Sequence, residues 1–216
     1  MTPLDVVIVA VYLFTLIYVG YRAIGNLEDR AALVLDEPAL NAQIEEQGLE
    51  EAIAVKIPLK KVYGFEPVAT LSLTVANLSD SPIYVDWDRS ALTNFKGRSR
   101  RVVRITPSMN MDLSRPQVFS VISPGTALNE TIVAEDMLKV GEDGRLQVVK
   151  PMVDLGPVSS LPEDKKLEFA LRLVLQRVAP NTSGYYEENW LTHPLTFRFE
   201  ARRIPWDNLY PWKQKR

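Results

Sequence analysis

The chain has 216 residues, with 25 lysines and arginines, 27 aspartates and glutamates, one histidine and no cysteine. A formal net charge of -2 gives no global basic field for nucleic acid and no global acidic field; without cysteine there is no thiol nucleophile, thiolate metal site or disulfide. The hydrophobic fraction of 46% is ordinary for a packed protein and supports one sizeable core.

Residues 6–21 carry no charged side chain and lie between Asp5 and Arg22. In helical form they cover about 24 Å of a hydrocarbon layer about 30 Å thick. Leu4, Ala23 and Ile24 lengthen the span if Arg22 extends its stem towards the headgroups. Residues 1–24 are therefore predicted to form a single-pass transmembrane anchor. Val6, Leu13, Phe14 and Ile17 supply its apolar body, and Tyr18, Tyr21 and Arg22 its boundary. A cleaved signal peptide competes with this reading, although no lysine or arginine precedes the apolar run and Ala23-Ile24-Gly25 is a poor cleavage site. A buried core helix also competes, although no polar stripe marks it as one. Arg22 and Arg30 both follow the helix, so the positive-inside rule places the large domain in the cytoplasm.

Residues 25–52 hold Glu28, Asp29, Asp36, Glu37, Glu45, Glu46, Glu50 and Glu51 against Arg30. A short helix is expected from Pro38 to about Gln47, stopped by Gly48, with Leu40 and Ile44 on one face. The segment is read as a short, acidic, partly helical stalk; a solvated acidic linker fits the same composition.

From residue 53 the pattern changes to strands. Residues 54–62 suit an edge strand broken by Pro58. Leu71, Leu73 and Val75 alternate with Thr70, Ser72 and Thr74; residues 78–82 form a turn, and 83–87 return. Further strands are expected at 101–105, 118–122 and 131–134. The strongest pair comes last: Leu167, Phe169, Leu171, Leu173 and Leu175 on one strand, Leu195, Phe197 and Phe199 on the other, joined by a long loop over 179–194. Many short strands without helix crossovers predict a mainly β, antiparallel two-sheet sandwich over residues 53–203, with a tail over 204–216.

The run Val75-Ala76-Asn77-Leu78-Ser79-Asp80-Ser81-Pro82-Ile83-Tyr84-Val85 resembles the hairpin of immunoglobulin-like sandwiches of the late-embryogenesis and bacterial surface-domain type. The likeness covers roughly residues 67–138 and is similar to bacterial membrane-anchored sandwich proteins. It implies a fold and says little of function, because such sandwiches host many roles. This chain departs from lipoprotein members in having no lipidation cysteine.

No catalytic, cofactor or metal site is expected. His193, beside Pro194 in the long loop, has no partner serine motif. Asp86 and Asp88 flank Trp87 without the spacing of a calcium loop, and are read as a polar outer face with Trp87 in the core. Three sequons, at Asn77, Asn129 and Asn181, are read as turn chemistry.

Two surfaces are candidates for contact with a partner or membrane. The first is the basic hairpin of Lys96, Arg98, Arg100, Arg101 and Arg104, with Arg115 nearby and with Arg98 and Arg100 on one face. The second is the tail, where Arg202 and Arg203 precede Trp206, Tyr210, Trp212 and Lys213. A solvated hairpin, and tryptophans folded back on the sandwich, are the plain alternatives. The leading expectation is a non-enzymatic, membrane-anchored domain that binds another protein, as accessory subunit or assembly factor of a membrane complex. An envelope-facing ligand-binding domain is the alternative, and a hydrolase built on Asp86 and Asp88 the more remote one.

Overall fold

A computed structural model describes residues 2–25, 29–105, 113, 115–142, 145–178 and 190–205. Helix α1 (Pro3–Gly25) has 23 residues, about 34 Å at helical rise, so it is longer than the uncharged run alone implied. Thr2 and Asp5 cap it reciprocally. The Thr2 N–H donates to the Asp5 carboxylate at 2.7 Å, and the Asp5 N–H donates to the Thr2 hydroxyl at 3.3 Å. Its window from Pro3 to Arg22 has a mean hydropathy of 2.1 and no buried share. Val6, Leu13, Phe14, Ile17 and Tyr21 are exposed apolar side chains there. The helix is long and apolar enough to cross a membrane, a property that a signal sequence shares.

The expected stalk is part of the folded domain. Residues 30–35 form strand β1 (Arg30–Leu35), which pairs along β11 (Trp190–Ile204), and the next residues form α2 (Glu37–Glu46). Acidic composition hid the short apolar run Ala31-Ala32-Leu33, which is buried. The Asp36 carboxylate caps α2 by accepting from the Ala39 N–H at 3.1 Å, and Gly48 follows at a positive φ of 61°. Leu40 is buried and Ile44 packs against the core.

The remaining strands are β2 (Ile53–Lys56), β3 (Leu71–Asn77), β4 (Ile83–Thr93), β5 (Ser99–Ile105), β6 (Ser120–Ile122), β7 (Ala127–Ala134), β8 (Leu138–Val140), β9 (Leu146–Val148) and β10 (Lys166–Val178). Among the described residues, nine of the eleven strands join into one antiparallel sheet in the order β1-β11-β10-β4-β5-β7-β3-β2, with β6 also on β4, and the sheet curls into a half-barrel. Strand β5 is the joint: residues 99–101 pair with β4, and residues 102–105 pair with β7. The curl brings Phe197, Phe199, Leu171, Leu173 and Trp87 from one half against Leu71, Leu73, Val75, Val102 and Ile132 from the other. Strands β8 and β9 form a separate hairpin.

Helix α2 lies on the edge of β11 beyond the end of β1. There the Gln43 side-chain amide acts like a strand residue. Its Oε1 accepts from the Thr196 N–H at 2.9 Å, and its Nε2 donates to the Thr196 carbonyl at 3.0 Å. Gln47 Nε2 donates to the Pro194 carbonyl at 3.0 Å. Two glutamines thus satisfy a sheet edge that would otherwise offer free backbone groups. Gln43→Ala should cost about 1–2 kcal/mol in urea unfolding and speed amide exchange at Thr196. Unchanged exchange at Thr196 would contradict this.

Two local networks fix the sheet. Residues 87–90 of β4 stand against Leu173 of β10, a wide bulge. Ser90 bridges it: its hydroxyl donates to the Asp86 carbonyl at 2.5 Å and accepts from the Val174 N–H at 3.1 Å. At the β3 end, Asn77 is fully buried. Its Nδ2 donates to the carbonyls of Ser81 and Ile122, both at 2.8 Å, and its Oδ1 accepts from the N–H and hydroxyl of Ser79. Its backbone pairs with Thr126 and Gly125. One side chain therefore ties the β3–β4 turn to the β6–β7 turn, which gives the Asn77 sequon a structural job.

Candidate functional site

The basic hairpin does not present a free patch of arginines. A 3-10 turn (Glu135–Met137) directly follows β7 and sets two acids beside β5. Arg100 Nε donates to Asp136 at 3.1 Å. Arg101 donates to Glu135 and Asp88, both at 3.0 Å, and also to the carbonyls of Leu113 and Arg115. Arg104 donates to the Ser120 hydroxyl at 2.9 Å and pairs with Glu130 at 3.7 Å. Sequence spacing grouped these arginines, whereas the acids that neutralise them come from β4, β7 and the 3-10 turn.

Arg98 differs. It is exposed, ahead of β5, and carries no side-chain ion pair among the described residues. It stands on the rim of a groove of about 620 Å³ with Lys96 and Lys150. The apolar lining includes Leu92, Phe95, Met137, Met152, Leu167 and Phe169. Phe95 meets Phe169 edge-on at 5.7 Å, and Phe169 stacks on Phe199 at 4.6 Å. Lys150 and the methionines were absent from the sequence reading, because nothing in their spacing links residues 150–152 to residues 95–98.

Arg203 holds Asp29, four residues after α1. Its guanidinium donates to the Asp29 carboxylate at 2.7 Å and to the Leu161 carbonyl at 3.2 Å. It is a clamp between β11 and the segment leading from α1. Arg202 is exposed, and Arg22 is exposed on α1. Trp206, Tyr210, Trp212 and Lys213 lie outside the described residues, as does the sequon at Asn181.

A second surface was missed by sequence reasoning. Phe119 and Val121 are exposed two residues apart at β6, Val121 lies opposite Tyr84 on β4, and the Tyr84 ring meets exposed Trp190 edge-on at 4.9 Å. These four side chains form an apolar strip. Alternation over three residues of β6 was too short to show which face was covered.

The acids around Trp87 part company. Trp87 is core, 1% exposed, with its indole N–H on the Ser120 hydroxyl at 3.0 Å. Asp88 is held by Arg101 and by the Gln117 N–H at 2.9 Å. Asp86, expected on the outer face with Asp88, is instead buried and accepts from the Arg89 N–H at 3.1 Å, because the bulge breaks the alternation. Among the described residues no group of three or more histidines or acids is arranged to hold a metal.

His193 belongs to β11, opposite Leu175, rather than to a loop; the strand starts at Trp190, earlier than alternation alone indicated. Its Nε2 is buried without a hydrogen-bond partner among the described residues. Burial, and then the nearby Arg177 guanidinium, push its pKa below the usual histidine range. The neutral form is thus favoured in the folded state. Its contribution to stability is complete above about pH 6.5, the unfolded value, and is lost as pH falls from there towards the folded pKa. The melting temperature should therefore drop on mild acidification, and His193→Gln should flatten that slope below about pH 6.5. An identical slope in the variant would exclude His193 as its source.

No protein-family model, curated protein or solved structure matches the chain.

Proposed function

We propose that this is a non-enzymatic, single-pass membrane protein whose β domain binds another protein, as accessory subunit or assembly factor of a larger membrane complex. The observation that carries this reading is the strip of Phe119, Val121, Tyr84 and Trp190. Contiguous apolar side chains, most of them exposed and two of them aromatic rings in edge-on contact, favour contact with a partner. The strip sits where β11 begins, while α1 joins the sheet where β11 ends. With 15 residues, β11 sets the strip on the order of 45 Å from the anchor end. The Asp29–Arg203 pair fixes where the chain from α1 enters the domain, and the strip lies at the far end of β11 from that entry.

Finer readings belong to the same proposal. The curled sheet is taken as an immunoglobulin-like sandwich of two layers joined by β5, in keeping with the resemblance at residues 75–85. The domain is placed in the cytoplasm on the positions of Arg22 and Arg30. The tail with Trp206, Tyr210, Trp212 and Lys213 is taken as a second contact.

Val121→Lys in the full chain should abolish co-purification of the partner while leaving the melting temperature nearly unchanged. Deletion of residues 206–216 should weaken association and spare the fold, since β11 ends at Ile204. Full co-purification with both changes would sink the protein-binding reading. Protease protection of the domain in intact cells is the expected result for the orientation, and cleavage from outside would reverse it.

A further inference from the structure

We propose that the groove at Phe95, Met152 and Phe169 binds an anionic phospholipid of the membrane that α1 enters, its headgroup on Lys96, Arg98 and Lys150 and the start of an acyl chain on the apolar floor. Charge argues first. The three cations have no ion pair among the described residues, whereas one of the two acids on the rim is paired. Asp136 is paired with Arg100 at 3.1 Å, while Asp154 accepts only the neutral Gly156 N–H at 3.0 Å and keeps its charge. Three cations against that one unpaired acid leave the rim net positive.

The floor argues second. A free phosphate needs no aromatic and methionine lining, and a bare hydrocarbon needs no cations. A volume of about 620 Å³ is within the range of small-molecule sites and takes a headgroup with adjoining methylenes.

Position argues third. Thr93 pairs with Ala170, so the turn after β4 runs on past the start of β10. Lys166, the first residue of β10, pairs with Arg202, and Arg30 pairs with Ile204. The groove and the entry of α1 thus share one end of the sheet. Five residue steps join Gly25 to Arg30, a reach of at most about 18 Å. An anchored α1 keeps the groove near headgroups. The chain's own tail is a poor occupant, because Lys213, Lys215 and Arg216 would meet three like charges. The distal strip plays no part here, so this site and the protein-binding reading stand or fall separately.

The test is native mass spectrometry of the purified full chain in neutral detergent, titrated with phosphatidylglycerol or phosphatidylcholine. Wild type should retain phosphatidylglycerol preferentially. Retention should fall by about fivefold for each rim cation removed, reaching the phosphatidylcholine level in the Lys96→Glu, Arg98→Glu, Lys150→Glu variant. The same charge change at exposed Lys56, Lys60 and Lys139 should leave retention unchanged. Equal retention of the two lipids by wild type would overturn the proposal, as would an unaffected rim variant. So would phosphatidylglycerol binding that emerges only after deletion of residues 206–216, which would give the groove to the tail. Loss of a co-purifying protein in the rim variant, with lipid retention intact, would make it a protein site instead.

Discussion

Asn77→Asp should destabilise the domain by about 3 kcal/mol or more at neutral pH, the largest effect expected of any near-isosteric change in this chain. Asn77 is fully buried, and both hydrogens of its amide are held by carbonyls, of Ser81 and Ile122. A carboxylate there has no hydrogen to give. The buried Ile122 carbonyl would lose this donor, at about 1–3 kcal/mol for an unsatisfied group, and the part-buried Ser81 carbonyl would keep only the Ser79 hydroxyl; both would face a negative charge instead. The Ser79 contacts survive, since they need only an acceptor. The variant should therefore recover part of its stability at acid pH, where the introduced carboxyl is protonated and donates one hydrogen bond. Asn77→Ala should show a comparable loss without that recovery. Urea unfolding midpoints at two pH values decide the matter, and an unshifted midpoint for either variant would contradict the role given to this side chain.

Trp87→Ala should cost about 3–5 kcal/mol, the usual range for deleting a large buried aromatic. Trp87 leads the fully buried side chains by volume and sits where β4 leaves its pairing with β6 and passes into the bulge. Its indole N–H meets the same Ser120 hydroxyl that accepts from Arg104. Trp87→Phe should keep most of the apolar burial and lose about 1 kcal/mol for the hydrogen bond. The gap between the two variants separates packing from polar satisfaction. Near-equal losses would show that the hydrogen bond, and not the volume, carries the site.

The long elements were legible because period and length agreed. Twenty uncharged or nearly uncharged residues make one helix, and the alternating leucines and phenylalanines of 167–175 and 195–199 make one strand pair. Helix α2 was legible from Pro38, Gly48 and the Leu40–Ile44 face. Strand β1 was not, because its six residues follow an acidic cluster and its pairing partner lies almost 170 positions away, at residues 199–204. The bulge in β4 was hidden for a related reason. Ser90 and Asp86 are four residues apart, and only the opposing Val174 N–H gives them a shared task. Surfaces were the least legible. A run of arginines has the same composition whether solvent or acids surround it, and the acids at 88, 130, 135 and 136 reach it only through the fold. Lys96 and Arg98 were grouped with the arginines that follow them, although the third cation at their groove is the distant Lys150.

We propose a membrane-anchored domain that works by holding a partner. Native-gel migration of the mildly solubilised full chain, with mass spectrometry of whatever comigrates, tests that most directly. Migration within a large assembly, lost in Val121→Lys, is the predicted result. Migration by itself as a monomer or small oligomer would contradict it.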